Sequence, residues 1–163
     1  SDLDGQPKAV QRPHPPFIIG GGGPKILTLA AREAQIVGIN ANLRSGSPDS
    51  ADAAQSLTPE RTDQKLAWLR DAAGEHFDDL EIQTLVGFVL PTNDSTHVIE
   101  AMAAGFGVAP GDARIAPVTL VGTHEEMIDL LEARRARWQM SYHVVPSAAV
   151  DTLAPVVACL AGT

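Results

Sequence analysis

The chain has 163 residues, 44 % of them hydrophobic, with a formal charge of −8 and a pI near 4.9. That length suits one ordinary domain with its own core, and the acidic balance gives no support to nucleic acid or an anionic membrane surface as a partner. No apolar run approaches the roughly 20 residues of a bilayer span, no signal peptide is visible, and the lone Cys159 excludes an internal disulfide and any multi-cysteine metal site.

Residues 1–16, SDLDGQPKAVQRPHPP, hold four prolines and read as a coil-like lead-in, the look of a linker that something precedes. The domain is expected over 17–163. Its first apolar stretch, Phe17–Ile19, is a strand that runs into four consecutive glycines, Gly20–Gly23. Pro24–Ala34 then places Ile26, Leu27, Ala30 and Ala31 on one helical face. Ile36–Ile39 is the second strand. Ser45–Ser56, SGSPDSADAAQS, is small, polar and without period, and is expected to be a mobile loop. Thr58–Ala73 is a helix with Thr58 as N-cap and Pro59 at its first position.

Glu81–Leu90 reads as the third strand and Ser95–Ala104 as the helix after it. Val118–Gly122 is a further extended piece. In Thr123–Trp138, Thr123 and Glu126 have the capping-box spacing, and Met127, Leu130 and Leu131 form an apolar stripe. The arginines near its end read as a solvated last turn, where cations suit the helix dipole. Ser141–Val145 is the fourth strand, and Val150–Leu160 closes the chain as a helix. The strands are almost continuously apolar, as in parallel sheets covered on both faces, and they alternate with helices. Two architectures stay open on these grounds: an open doubly wound sheet, or half of a (β/α)8 barrel. A half-barrel would leave two apolar edges and an open interior, and would need its missing half or a second copy of itself.

The glycine run is the most informative segment. A strand that ends on bare backbone and opens a helix brings free N–H groups and the positive end of the helix dipole together, which suits an anion, most often a phosphate. Gly23 is the N-cap, Pro24 occupies the first helical position, and Lys25 could add a positive charge. Neither the P-loop nor the Rossmann glycine pattern fits, so an ATPase or a nicotinamide enzyme is disfavoured, while a plain tight turn remains the simpler alternative.

The run QRPHPPFIIGGGGPKILTLAAREAQIVGIN, with the later TPERTDQKLAWLRDAAG, VTLVGTHEEMIDLLEARRARWQMSYHVVP and VDTLAPVVACLAG, resembles the luciferase-like monooxygenase superfamily, and within it the oxidoreductases that use the deazaflavin coenzyme F420. The resemblance implies an α/β fold, the C-terminal half of a (β/α)8 TIM barrel, strands five to eight. It implies a hydride-transferring oxidoreductase of a small-molecule substrate, with F420 or alternatively FMN as cofactor. It places Gly21, Gly22, Gly23 and Lys25, together with Asn40 and Asn42 at the end of the next strand, near the cofactor's phosphate-bearing tail. The acid–base residues would lie in the N-terminal half, so none is assigned here and the isolated chain is expected to be inactive. A cytoplasmic location is expected, and the partner is the missing barrel half or, in a dimer, a second copy. The competing reading is a non-enzymatic half-barrel that self-associates and binds a flavin or only folds and assembles. His143 reads as a satisfied core or barrel-lining histidine, Cys159 as a small buried hydrophobe, and no histidine or carboxylate spacing suggests a metal.

Overall fold

The computed structural model describes residues 6–8, 10–44, 46–47 and 50–162. Apolar β-branched segments become strands and the periodic segments become helices. In order they are β1 (Ile18–Gly21), α1 (Pro24–Glu33), β2 (Ile36–Ile39), α2 (Ala51–Gln55), α3 (Pro59–Ala73), β3 (Glu81–Leu85) and β4 (Phe88–Pro91). Then come α4 (Ser95–Phe106), α5 (Pro110–Ile115), β5 (Thr119–Gly122), α6 (His124–Trp138), β6 (Met140–Val144) and α7 (Val150–Leu160).

Four strands form one parallel sheet in the order β1-β2-β3-β6, and β4 pairs with β5, also parallel, in a separate sheet. The order of the larger sheet follows the chain without reversal. A doubly wound sheet reverses at a switch point, so that alternative is not the one this sequence adopts. The expected third strand, Glu81–Leu90, breaks at Val86–Gly87: β3 stays in the main sheet and the rest crosses to β5. A five-residue helix, α2, forms within the segment expected to be a loop, where Ser50 caps it by accepting from the Ala53 N–H. Ser45, Pro48 and Asp49 of that loop lie outside the described residues, as do 1–5 and 9 of the lead-in.

Alternation along the strands separates two faces. Val37, Ile39, Ile82 and Met140 point toward the helices and join Leu27 of α1, Leu66 and Leu69 of α3 and Trp138 of α6 in the main core. The opposite face carries Ile18, Leu85, Tyr142 and Val144, which are 53, 51, 40 and 37 % exposed. Parallel sheets bury both faces as a rule, so an uncovered apolar face is a distinctive feature of this fold.

Side chains fix the starts of several helices. Thr58 caps α3 by accepting from the Arg61 N–H, and Thr123 with Glu126 completes the capping box of α6. Asp63 of α3 accepts from Arg137 Nε at 3.0 Å and from Trp138 Nε1 at 2.7 Å, which ties α3 to the end of α6. The arginines toward the end of α6 are not all solvated. Arg134 is 1 % exposed and donates to the carbonyls of Ile115, Ala116 and Thr119, fastening α6 to the α5–β5 connection. Burial pushes its pKa down to about 9, which leaves it charged at neutral pH. Cys159, in contrast, is exposed on α7.

His143 pairs in register with Thr84, and its Nδ1 is buried without a hydrogen-bond partner. It is a partly buried histidine on the sheet, with a hydrogen bond to the Met140 backbone and an unpartnered Nδ1, so it is not the fully satisfied core residue expected. Burial, reinforced by the Arg134 and Arg135 charges, pushes its pKa from 6.5 down to about 4. Below pH 6.5 the unfolded chain binds a proton that the folded chain refuses, so stability falls as the pH drops from 6.5 toward 4 and levels off beneath. Urea titrations across that window should show His143→Gln flattening the wild-type loss by on the order of 2 kcal/mol. Parallel curves for the two proteins would contradict a neutral buried imidazole.

Candidate functional site at the strand ends

The glycines differ in what they are for. β1 extends into the run, so Gly20 and Gly21 are strand residues. Gly20 pairs with Gly38 of β2, and the side-chain amides of Asn40 and Gln83 lie where their Cβ atoms would stand. A Cβ on Gly21 would collide with Ile26 of α1. A Cβ on Gly22 would run into the Ala41 carbonyl and reach 2.7 Å from the Asn42 nitrogen. Gly23 has open space around it and is the N-cap of α1, with no side chain capping the helix. Three of the four positions are thus bare because the chain itself comes close, and the fourth faces outward.

The close approach at Gly22 has a consequence for the rim. It brings the end of β1 against the segment after β2, and Gly22 and Asn42 line one cavity of about 310 Å³. Arg44, Arg61 and Lys65 line it too, against one carboxylate among the described residues, Asp52. Asn42 is held by its N–H donating to Ser56 Oγ at 2.8 Å. Lys65 is 3 % exposed, and its Nζ donates to the Asn40 carbonyl at 2.7 Å. Burial pushes its pKa from 10.5 down to about 8. A buried ammonium beside two arginines, in a chain of net charge −8, is a concentrated positive potential that a bound anion would relieve.

The structure brings together two of the six residues singled out in the sequence. Gly22 and Asn42 share the cationic cavity; Gly21 is packed against α1, and Gly23 stands at the adjacent helix N-terminus. Lys25 is exposed in the first turn of α1 and does not line the cavity. Asn40 lines a different, apolar cavity while its carbonyl receives Lys65. Sequence reasoning missed Arg44, Arg61 and Lys65. Arg61 and Lys65 stand four apart on α3 and so share a helical face, a spacing signal that was present in the chain.

No family model matches the sequence, and no curated protein matches it either. Solved structures do match in fold. The coenzyme F420 dependent tetrahydromethanopterin reductase from Methanopyrus kandleri matches with a TM-score of 0.53 at 18 % identity, over 81 % of this chain and 45 % of that one. The monooxygenase RslO1 from Streptomyces bottropensis matches with a TM-score of 0.51 at 19 % identity, over 86 % of this chain and 43 % of that one. Both are luciferase-like oxidoreductases, so the resemblance read from the sequence is borne out at the level of the fold. The chain spans less than half the length of either.

Steric cause separates neighbouring glycines. Gly22→Ala should cost about 2 kcal/mol in urea denaturation through forced separation of β1 from Ala41, whereas Gly23→Ala should cost below about 1 kcal/mol. Equal losses at the two positions would show that backbone proximity is not what keeps Gly22 bare.

Proposed function

We propose that this chain supplies the C-terminal four strand–helix units, strands five to eight, of a luciferase-like (β/α)8 oxidoreductase. Its cationic rim cavity takes the phosphate of coenzyme F420, with FMN as the alternative. The observation that carries this reading is the convergence of Gly22, Asn42, Arg44, Arg61 and Lys65 at the C-terminal ends of adjacent parallel strands, the end of a barrel where ligands bind. The match to luciferase-like barrels supports the fold on which it rests.

The bound cofactor would supply hydride transfer to or from a small-molecule substrate. This chain's residues do the holding. Arg44 and Arg61 supply positive charge, and Lys65, already bonded to Asn40, brings a third cation that an anion stabilises in its charged form. The first-turn amides of α1, next to Gly23, have no side-chain cap and add the positive end of the helix dipole. No acid–base residue of this chain is assigned a catalytic part, and the chain alone is inactive in this reading. The uncovered face with Ile18, Leu85, Tyr142 and Val144 would be closed by the N-terminal half of the barrel or by a second copy.

Titration with F420 and with FMN, followed by amide chemical shifts, tests the anchoring without needing activity. Shifts should appear at Gly22, Gly23 and Asn42 and in the turn of α3 that carries Arg61 and Lys65. The double variant Arg61→Ala, Lys65→Met should weaken binding at least about tenfold. No shift with either cofactor, or an affinity untouched by the double variant, would overturn the reading.

The same uncovered face favours a second reading, a non-enzymatic half-barrel that pairs with itself. Light scattering should then give a mass of two chains or more, and Leu85→Lys should return it toward one. A stable monomer whose mass Leu85→Lys leaves unchanged would remove that reading.

A further inference from the structure

The chain leaves the main sheet at Leu85 and enters the second sheet at Phe88, with only Val86 and Gly87 between. The wedge between the sheets is not filled by side chains. A cavity of about 460 Å³ remains there, walled by Ile39, Leu57, Phe88, Met102, Phe106 and Val118. Domain interiors pack nearly as tightly as organic crystals, and a gap of this size lies in the range of small-molecule sites. We propose that this wedge binds one flat, largely apolar small molecule, uncharged or singly cationic, at a place separate from the cationic rim cavity.

Three observations set the ligand's chemistry. The rings of Phe88 and Phe106 meet at 5.6 Å between centroids with a 58° tilt, and both line the cavity, so an aromatic guest finds aromatic partners. Asp112 is the sole charged residue among the described lining, so an anion would face a carboxylate with no cation to offset it. The segment after β2 parts the two cavities residue by residue. Asn40, Ala41 and Leu43 line the apolar one, and Asn42 and Arg44 line the cationic one. The two sites therefore take ligands of opposite character, and this proposal stands whether or not the rim holds a redox cofactor.

Gly87 lines the wedge, and a Cβ there would meet nothing within 4 Å, so a large side chain can enter the cavity without displacing backbone. Three probes share one ring and differ in charge: tryptamine, indole and indole-3-acetate. Calorimetric titration of the full chain should give one-to-one binding of the first two, with indole-3-acetate at least about tenfold weaker. Gly87→Phe should weaken all binding at least about tenfold at unchanged Tm. Asp112→Asn should remove a roughly two- to fivefold preference for tryptamine while leaving indole unchanged. Saturating inorganic phosphate, a rim ligand, should not compete with indole. The proposal is overturned if neither indole nor tryptamine binds, if the three probes bind alike, or if phosphate displaces indole. It is equally overturned if a folded Gly87→Phe binds indole as the wild type does, or, should that variant not fold, if Asp112→Asn keeps the preference for tryptamine.

Discussion

The contact on which the rim depends is between bare backbone and bare backbone. At Gly22 the end of β1 lies so near the Ala41 carbonyl and the Asn42 nitrogen that a methyl group would not fit between them. Two strand ends are drawn together there, closer than side chains allow, and the Asn40 N–H closes the gap by donating to the Gly21 carbonyl at 3.0 Å. From that point the positions of other groups follow. Asn42 is turned toward Ser56, which holds the chain near α2, and Lys65 of α3 reaches back to the Asn40 carbonyl. The repeated pairing of Gly20 with Gly38 does the same one row earlier, leaving room for two side-chain amides on the face of the sheet. Glycine is used here chiefly to let the chain approach itself, and the cationic rim cavity is a product of that approach.

Electrostatics then sharpens what sterics has placed. An acidic chain gathers three cations around one cavity, and one of them is an almost fully buried lysine. Removing an ammonium from water costs several kcal/mol unless partners replace the lost hydration. Lys65 has one carbonyl, and burial leaves its pKa well below that of a free lysine. Such a group is poised for an anion in a way a surface lysine such as Lys25 is not. Arg134 shows the contrasting use of a buried cation. It too is buried, but it is bonded to three carbonyls of the α5–β5 connection, where it joins elements and lines no rim.

Much of this was legible along the chain. Continuously apolar strands, the capped start of α3 and the capping box of α6 all rest on local chemistry, which survives folding nearly unchanged. The break inside Glu81–Leu90 was not legible, because the apolar run Leu85–Leu90 carries no clear mark of where one sheet ends. Only Gly87 hinted at it. Arg134 was misread for a related reason: a run of arginines at a helix end looks solvated until the fold sets carbonyls beside one of them. The site divides the same way. The glycine turn stands out in the sequence by itself, whereas Arg61 and Lys65 are ordinary members of an amphipathic helix until α3 packs beside the strand ends. The helix-facing side of the sheet explains itself through its core, while the opposite side stays apolar and exposed.

The most direct measurement of the central claim is the titration of Lys65 itself, followed through its side-chain NMR signals with and without phosphate. An anion held in the rim cavity must raise the lysine pKa above the value of about 8 to which burial lowers it, and the claim predicts that rise at saturating phosphate and its absence in Arg61→Ala. A Lys65 titration that phosphate does not move would contradict it.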